Sequence, residues 1–494
     1  MSTPGTPSLS PQASTEHIRR RWWILAVLSL TQLVVVLDGT IVNIALPQAQ
    51  AELGMSDAQR QWVVTAYALV FGALLLLGGR VADYWGRRRA FLVGLVGFGL
   101  ASAWGGLAQS GGELVAARGL QGLFAALLAP AALGLLTVTF ASGRDRNVAF
   151  AVYGAIGGGG AAVGLLLGGV LTQYADWRWC LLVNIVFAIV GLVGGLVLLT
   201  ESKAEGDNRY DLWGAVAAIG GLGSLVYGFT LAEDGWAEPG TIGFLALGVV
   251  LLALFVLVES RVDQPLLPLR VVAHRVRAGA FVVQALIGSV LIGATLYLTF
   301  HLQIVMGMSP LASGLANVAM TVVIILAVPA VTNLLPKIGP RPLMIAGPLI
   351  AAVGLFYLSG ISPEGSYAVE VLPALLVLGL GLSFVLVPLQ NLALTGVAPH
   401  DAGAAAATVN AALQIGGSIG VAVFTVVYTR ASDAAFADGA APAAALTDGY
   451  SATFVAAGIA MVVAALVAAL MIRGTKSDLL PQGDDDAARV VHVG

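Results

Sequence analysis

Residues Val34–Pro47 read VVVLDGTIVNIALP and place a single carboxylate, Asp38, inside a run that is otherwise uncharged and largely apolar from Trp22 to Leu46. A run of that length crosses a bilayer, which takes roughly 20 residues. An acid at that depth is expensive and marks a functional group facing a cavity or a partner. The bland alternative is a carboxyl kept neutral and hydrogen-bonded for packing alone. Asp38 is the one acidic residue that falls well inside any apolar run of the chain.

The rest of the composition agrees. The chain has 494 residues, 58% hydrophobic and 10% charged, against roughly 25% charged in soluble domains. It reads as an all-α integral membrane protein with the lipid bilayer as its obligatory partner. A net charge of −3 excludes a strongly basic nucleic-acid binder. The single cysteine, Cys180, permits no internal disulfide. Five His, one Cys and no clustered intramembrane acids leave little for catalysis; no enzyme, no metal and no cofactor is expected. Arg19-Arg20-Arg21 with Ala49-Gln50-Ala51 imitates a secretory signal. The intervening run is too long, carries Asp38, and has counterparts down the whole chain.

Fourteen apolar spans follow one another: 22–45, 62–80, 90–109, 113–140, 148–174, 179–200, 212–232, 241–259, 277–305, 309–335, 343–360, 367–397, 402–428 and 450–472. Twenty of the 24 Lys and Arg fall on the tails and the even-numbered loops. Arg60, Arg178 and Arg430 alone mark the other side, and Arg118 lies within span 4. Positive charge stays inside, so both termini are expected in the cytoplasm of a multi-pass plasma-membrane protein. Tyr84-Trp85-Gly86-Arg87-Arg88 after span 2 and Lys337-Ile338-Gly339-Pro340-Arg341 after span 10 form a weak repeat. If span 9 repeats span 1, the chain is a disordered tail 1–21, a six-span half 22–200, two inserted spans within 201–275, a second six-span half 276–473 and a tail 474–494. Repeated halves with a site between them are a transporter signature.

The most specific stretch is Gly79-Arg80-Val81-Ala82-Asp83-Tyr84-Trp85-Gly86-Arg87-Arg88-Arg89. Asp83 ends span 2, where the helix dipole disfavours an anion, so it needs a cation or another helix's N-terminus. An ordinary positive-inside loop explains the arginines but not the Gly–Asp–Gly placement. Gly79, Asp83, Gly86, Arg87 and Arg88 resemble the cytoplasmic-loop signature of the major facilitator superfamily. Leu37–Pro47 resembles the first-span motif of its fourteen-span drug:proton antiporters. Leu114–Pro130, with Arg118, Gln121 and Gly122, resembles the fourth-span motif linked there to proton coupling. The resemblance covers nearly all of the chain except the tails. It implies the major facilitator fold, two six-helix halves plus two inserted helices, and efflux of drugs or antibiotics.

Asp38 and Arg118 lie at compatible depths. A buried Arg without an anion is very costly, so the two are expected in contact, directly or through water; the alternative is Arg118 reaching outward to Glu113. Gly160, Gly164 and Gly168 share one face of span 5 and permit close packing with Gly169. In the family this region is the antiporter motif, and Leu165 stands where its proline would be. Asp176-Trp177-Arg178-Trp179 resembles a family boundary motif that continues to an Asn, here Asn184; interfacial anchoring explains the Trp residues equally well. Asn43, Gln121, Asn391, Asn410 and Gln414 are cavity candidates, with polar glue between helices the equal alternative. His301 in span 9 reads as a satisfied structural residue, with titration as the lesser reading. Asp484–Asp486 reads as a solvated tail.

The reading is a secondary transporter that exports a small amphipathic or cationic organic substrate in exchange for protons. The alternatives are a uniporter or importer of a small polar metabolite, which would want more charged cavity groups, and a non-transporting receptor or scaffold, which would want neither repeat nor gating loop. Whether a periplasmic partner takes part is left open.

Overall fold

The computed structural model describes residues 11–140, 143–204, 211–232, 235–262, 265–397 and 401–474, with side chains from Arg20 onward. Asp484–Asp486 and the last tail lie outside the described residues. Fourteen helices are long and apolar enough to cross a membrane. We number them α1 (Pro11–Leu53), α2 (Asp57–Trp85), α3 (Arg87–Gly106), α4 (Gly111–Thr139), α5 (Arg144–Tyr174), α6 (Trp179–Leu198), α7 (Leu212–Leu231) and α8 (Pro239–Glu259). The series continues with α9 (Arg275–Val305), α10 (Pro310–Ile338), α11 (Pro340–Leu358), α12 (Tyr367–Leu394), α13 (Ala402–Ala437) and α14 (Pro442–Met471). No strand occurs among the described residues.

Most of the helices begin before their apolar runs, because local capping, and not hydropathy, starts them. Ser56 and Gln59 form a reciprocal capping box at the start of α2. Ser110, Asp211 and Ser309 cap α4, α7 and α10. Pro stands in the first turn of α8, α10, α11 and α14, where its missing N–H costs nothing. Residues 11–21, expected to be disordered, are the first turns of α1. Extending a helix that the bilayer already nucleates adds one hydrogen bond per residue fixed.

Helices α1–α6 pack among themselves, as do α9–α14. The two groups meet along two seams, α2 against α13 and α5 against α10. Helices α7 and α8 pair with each other, and α7 lies over the α2–α13 seam. Gln61 of α2 donates to Thr230 of α7 at 3.1 Å, and Arg430 of α13 donates to the carbonyl of Ala232, just past α7, at 3.0 Å. An even number of crossings puts the start of α1 and the end of α14 at one end of the bundle, the near end; the opposite end is the far end.

Lipid offers no hydrophobic drive for helix association, so close approach must supply it. A Cβ at Gly78 of α2 would lie 2.0 Å from the Ala126 carbonyl of α4, and one at Gly122 of α4 would lie 2.5 Å from the Tyr67 carbonyl of α2. On α5, a Cβ at Gly164 would meet Thr40 Oγ1 at 2.1 Å and one at Gly168 the Ile41 carbonyl at 2.8 Å, both on α1. Gly160 faces Val36 of α1 at 3.1 Å, whereas Gly169 faces Leu311 of α10 at 2.7 Å. Thus three of these glycines seat α5 on α1 and the fourth belongs to the seam. Helix α5 runs unbroken through Leu165.

Candidate functional site: a buried ion pair and two ends

The approach of α4 to α2 at Gly122 and Tyr67 fixes where Arg118 points. Its Nε donates to the Val63 carbonyl of α2 at 3.1 Å, and its Nη1 reaches Asp38 Oδ2 at 2.6 Å and Gln121 Oε1 at 2.9 Å. The guanidinium carbon stands 4.3 Å from the centre of the Tyr67 ring. Asp38 Oδ1 accepts from Asn184 Nδ2 at 2.7 Å and from Gln121 Nε2 at 3.1 Å, and Gln121 Nε2 also donates to Ser102 Oγ at 2.7 Å. Five helices of the first group therefore contribute to one network, in which groups of α4 and α6 bond the carboxylate on α1 itself. The side chains of Asp38 and Arg118 are 0% and 1% exposed. Asp38 thus faces partners and not a cavity. A network with this many bonds around one carboxylate, in a dry interior, holds its members in one arrangement. Glu113, the other acid considered for Arg118, accepts from the Gln109 backbone instead.

The cavity candidates scatter. Gln121 is fully buried and spent on Asp38, Arg118 and Ser102, so it belongs to the ion-pair network. Asn43 is buried, with its carbonyl oxygen unpartnered. Asn391 and Gln414 are half-buried and Asn410 is exposed. Gln414 Cβ lies against Gly72, on the α2–α13 seam. Half-buried Gln32, which accepts from the Tyr153 hydroxyl at 2.9 Å, joins α1 to α5.

At the near end, Asp83 bonds Arg87 Nε at 2.8 Å and Nη2 at 2.7 Å. Gly86, at φ +126°, turns the chain into α3, and a Cβ there would strike the Glu201 carboxylate at 2.7 Å. That carboxylate accepts from the backbone N–H of Arg88 and of Arg89 and so caps α3. Arg88 itself reaches the Leu196 carbonyl at 3.1 Å. Gly79 makes only an ordinary 3.5 Å contact with Pro130; the glycine that sets helix approach here is Gly78. At the start of α13, another helix N-terminus that could serve Asp83, His400 lies outside the described residues. Asp401 pairs with Arg270 at 2.7 Å.

The far end is where the groups lock. Gln303 donates to the Ile44 carbonyl at 3.1 Å, and the Leu311 N–H donates to Gln173 Oε1 at 3.3 Å. Gly314 of α10 sits where a Cβ would touch the Leu165 carbonyl at 2.5 Å. Trp177, 3% exposed, is no interfacial anchor: it donates to Glu52 at 2.7 Å, which also binds Arg178 at 2.7 Å. Trp179, 48% exposed, keeps the anchoring role open to it. Toward the near end, α5 is exposed at Ala151, Val152, Gly154 and Gly158, and α10 at Ile325, Leu326 and Val328.

Three features escaped the sequence reading. Asn184 was noted as a motif residue without a partner, because an amide inside a span names none. Arg60 reads as an outer-loop charge, yet it is 3% exposed and stacked on rings of α9 and α13. His301 is not satisfied: it is fully buried and neither ring nitrogen has a partner.

The comparisons point one way. Residues 28–421 match the Major Facilitator Superfamily model. The chain is 50% identical to the puromycin resistance protein of Streptomyces alboniger, covering 87% of this chain and 86% of that one. It is 35% identical to the tetracenomycin C resistance and export protein of Streptomyces glaucescens, over 85% and 78% of the two chains. Among solved structures it resembles a bacterial homologue of the human lysosomal transporter Spinster, in an inward-facing and unoccupied conformation, with a TM-score of 0.63, 18% identity, and 94% and 99% of the two chains covered. That last likeness concerns the fold alone. With its fourteen crossing helices and its family match over most of its length, the chain belongs to the major facilitator superfamily.

Proposed function

We propose that the protein is a proton-coupled exporter of amphipathic or cationic drugs or antibiotics, working by alternating access between α1–α6 and α9–α14. The near end and both termini face the cytoplasm, in keeping with the positive loops, and the conformation described is closed at the far end. The export reading draws on relatives named for resistance and export. The observation that carries proton coupling is the sealed Asp38–Arg118 pair with its Gln121 and Asn184 donors.

Ionised, Asp38 ties α1 to α4 and α6. A proton on the carboxylate removes the charge that holds Arg118 and competes for an oxygen that now accepts from an amide. Proton binding and the tied arrangement are then mutually exclusive. Because Asp38 is sealed from solvent, drug and proton compete through the packing of α1 and not by sharing one contact, which is linkage in the thermodynamic sense. Asn43, Asn391, Asn410 and Gln414 remain the polar groups offered to a substrate. Gly79, Asp83, Gly86, Arg87 and Arg88 act as the near-end gate. There Asp83 trades Arg87 for the N-terminus of α13 when the cytoplasmic side closes, and Asp83→Asn is expected to slow turnover more than it weakens drug binding.

The test is drug-induced proton release from purified protein. Wild type is expected to release protons on adding a cationic drug, and Asp38→Asn is expected to release none and to lose pH-gradient-driven transport. Equal release from both overturns the assignment of Asp38. For orientation, a fluorescent protein that matures only in the cytoplasm should be bright after Gly494, and a Cys at exposed Pro239 should label from outside. A dark fusion on a well-inserted protein reverses the topology.

A further inference from the structure

Arg60 enters the far end from α2, and its surroundings come from the other helix group. Its guanidinium carbon lies 4.5 Å from the Phe300 ring centre, 5.4 Å from Tyr428 and 5.7 Å from Tyr297. Tyr297 and Phe300 belong to α9 and Tyr428 to α13; Tyr450 of α14 backs them, 5.0 Å from Tyr428 and 6.4 Å from Tyr297. The anion that balances Arg60, Asp57 at 3.0 Å, is on its own helix. Gln50 accepts from Nη1 at a long 3.4 Å, and Nη2 has no partner. The other helix group therefore receives this cation with aromatic residues and no carboxylate, the rings of all three beside it and the Tyr297 and Tyr428 hydroxyls within its reach. Such a cage suits a weakly hydrated cation.

Two observations set the cage apart from ordinary packing. The six residues Thr295–Phe300, which carry two of its rings, lie between two π-helical turns, Ser289–Ala294 and His301–Val305. Such turns loosen the regular ladder and recur at functional sites. Behind the rings, His301 stands edge-on to Tyr450 at 5.5 Å with both nitrogens unpartnered. Buried polar groups are nearly always bonded, so hydrogen-bonding capacity left unused at this spot calls for an explanation.

We propose that the Tyr297–Phe300–Tyr428 cage is a binding site for organic cations, and that Arg60 occupies it as a built-in competitor whenever the far end is closed. Opening the far end draws Arg60 out with α2 and uncovers the cage; an aromatic or quaternary ammonium cation then takes its place. Closing expels that cation, because Arg60 returns carrying its own counter-ion. The site thus deepens the export reading and rests on it for the sidedness of release, while occupancy of the cage itself requires no proton gradient.

The test uses the full chain in lipid nanodiscs, with tetraphenylphosphonium as the probe and neutral triphenylphosphine oxide as its comparator. Arg60→Met removes the competitor and leaves an apolar chain of similar reach. It is expected to raise tetraphenylphosphonium affinity about tenfold, the scale of one desolvated cation–ring contact, without raising that of the oxide. Adding Tyr428→Leu is expected to abolish the gain. Arg60→Lys is the second variant, should Arg60→Met fail to fold: its compact, hydrated ammonium fills the cage less well, and a rise of about threefold is expected. The proposal is overturned if affinity does not rise in whichever variant folds, if the oxide gains equally, or if the gain survives Tyr428→Leu. Placing Asp38→Asn in the same background separates the two readings. If proton release proves independent of Asp38 while the Arg60 variants still gain, the cage stands and the coupling assignment alone falls.

Discussion

Two of the arginines buried among the described residues, Arg118 at 1% exposure and Arg60 at 3%, are held in different ways. Arg118 is met by the Asp38 carboxylate, a backbone carbonyl and a side-chain amide, all within its own helix group. Arg60 crosses to the other group, brings its counter-ion with it, and rests on three rings with one nitrogen unbonded. A cation bonded directionally to a buried carboxylate is costly to move, since moving it strands a buried charge. A cation held by ring faces loses less on leaving, because water can replace what the rings supplied. The first arrangement is built to stay put until its carboxylate changes charge, the second to come and go.

The comparison makes predictions in order of size. The largest concerns Arg118→Ala, which leaves the Asp38 carboxyl buried without its cation. It is expected to cost about 3–5 kcal/mol of stability, read as a lower thermal midpoint in detergent, and to abolish transport. Arg60→Ala removes a cation that brought its own anion, and is expected to cost about 1–2 kcal/mol. Equal losses in the two variants, under one assay, would erase the distinction between them. Ser102→Ala removes one of two acceptors for Gln121 Nε2 and is expected to cost about 1 kcal/mol, with transport retained. A null transporter there would mean that the network tolerates no loosening at all. The smallest effect is expected at the near end. Glu201→Gln keeps the shape of the α3 cap but loses its charge, for about 0.5–1 kcal/mol, visible as faster backbone hydrogen exchange at Arg88 and Arg89.

Much of this was legible in the sequence, for reasons particular residues make plain. The fourteen crossings could be counted because a bilayer demands long apolar runs and sorts Lys and Arg between its faces. Asp38 and Arg118 could be paired because each is too expensive to bury alone. The Gly160–Gly164–Gly168 face could be seen from its spacing, although not that Gly169 would serve a different neighbour. Arg60 could not be read, because at a span's edge a charge is free to reach water, and only the placement of α9 and α13 denies it that. The π-helical turns that bracket Tyr297 and Phe300 leave no periodic trace over five or six residues. Gly78 was passed over for its neighbour because a glycine pair does not say which member meets the other helix.

The position of α7 sets a condition on any motion of the whole. Its far end is bonded to both groups, to Gln61 on one side and Arg430 on the other. When α2 and α13 part there, α7 can travel with one of them only. The inserted pair is therefore a passenger that must choose a side, and each cycle of the carrier includes the making and breaking of a contact that no twelve-helix arrangement would possess.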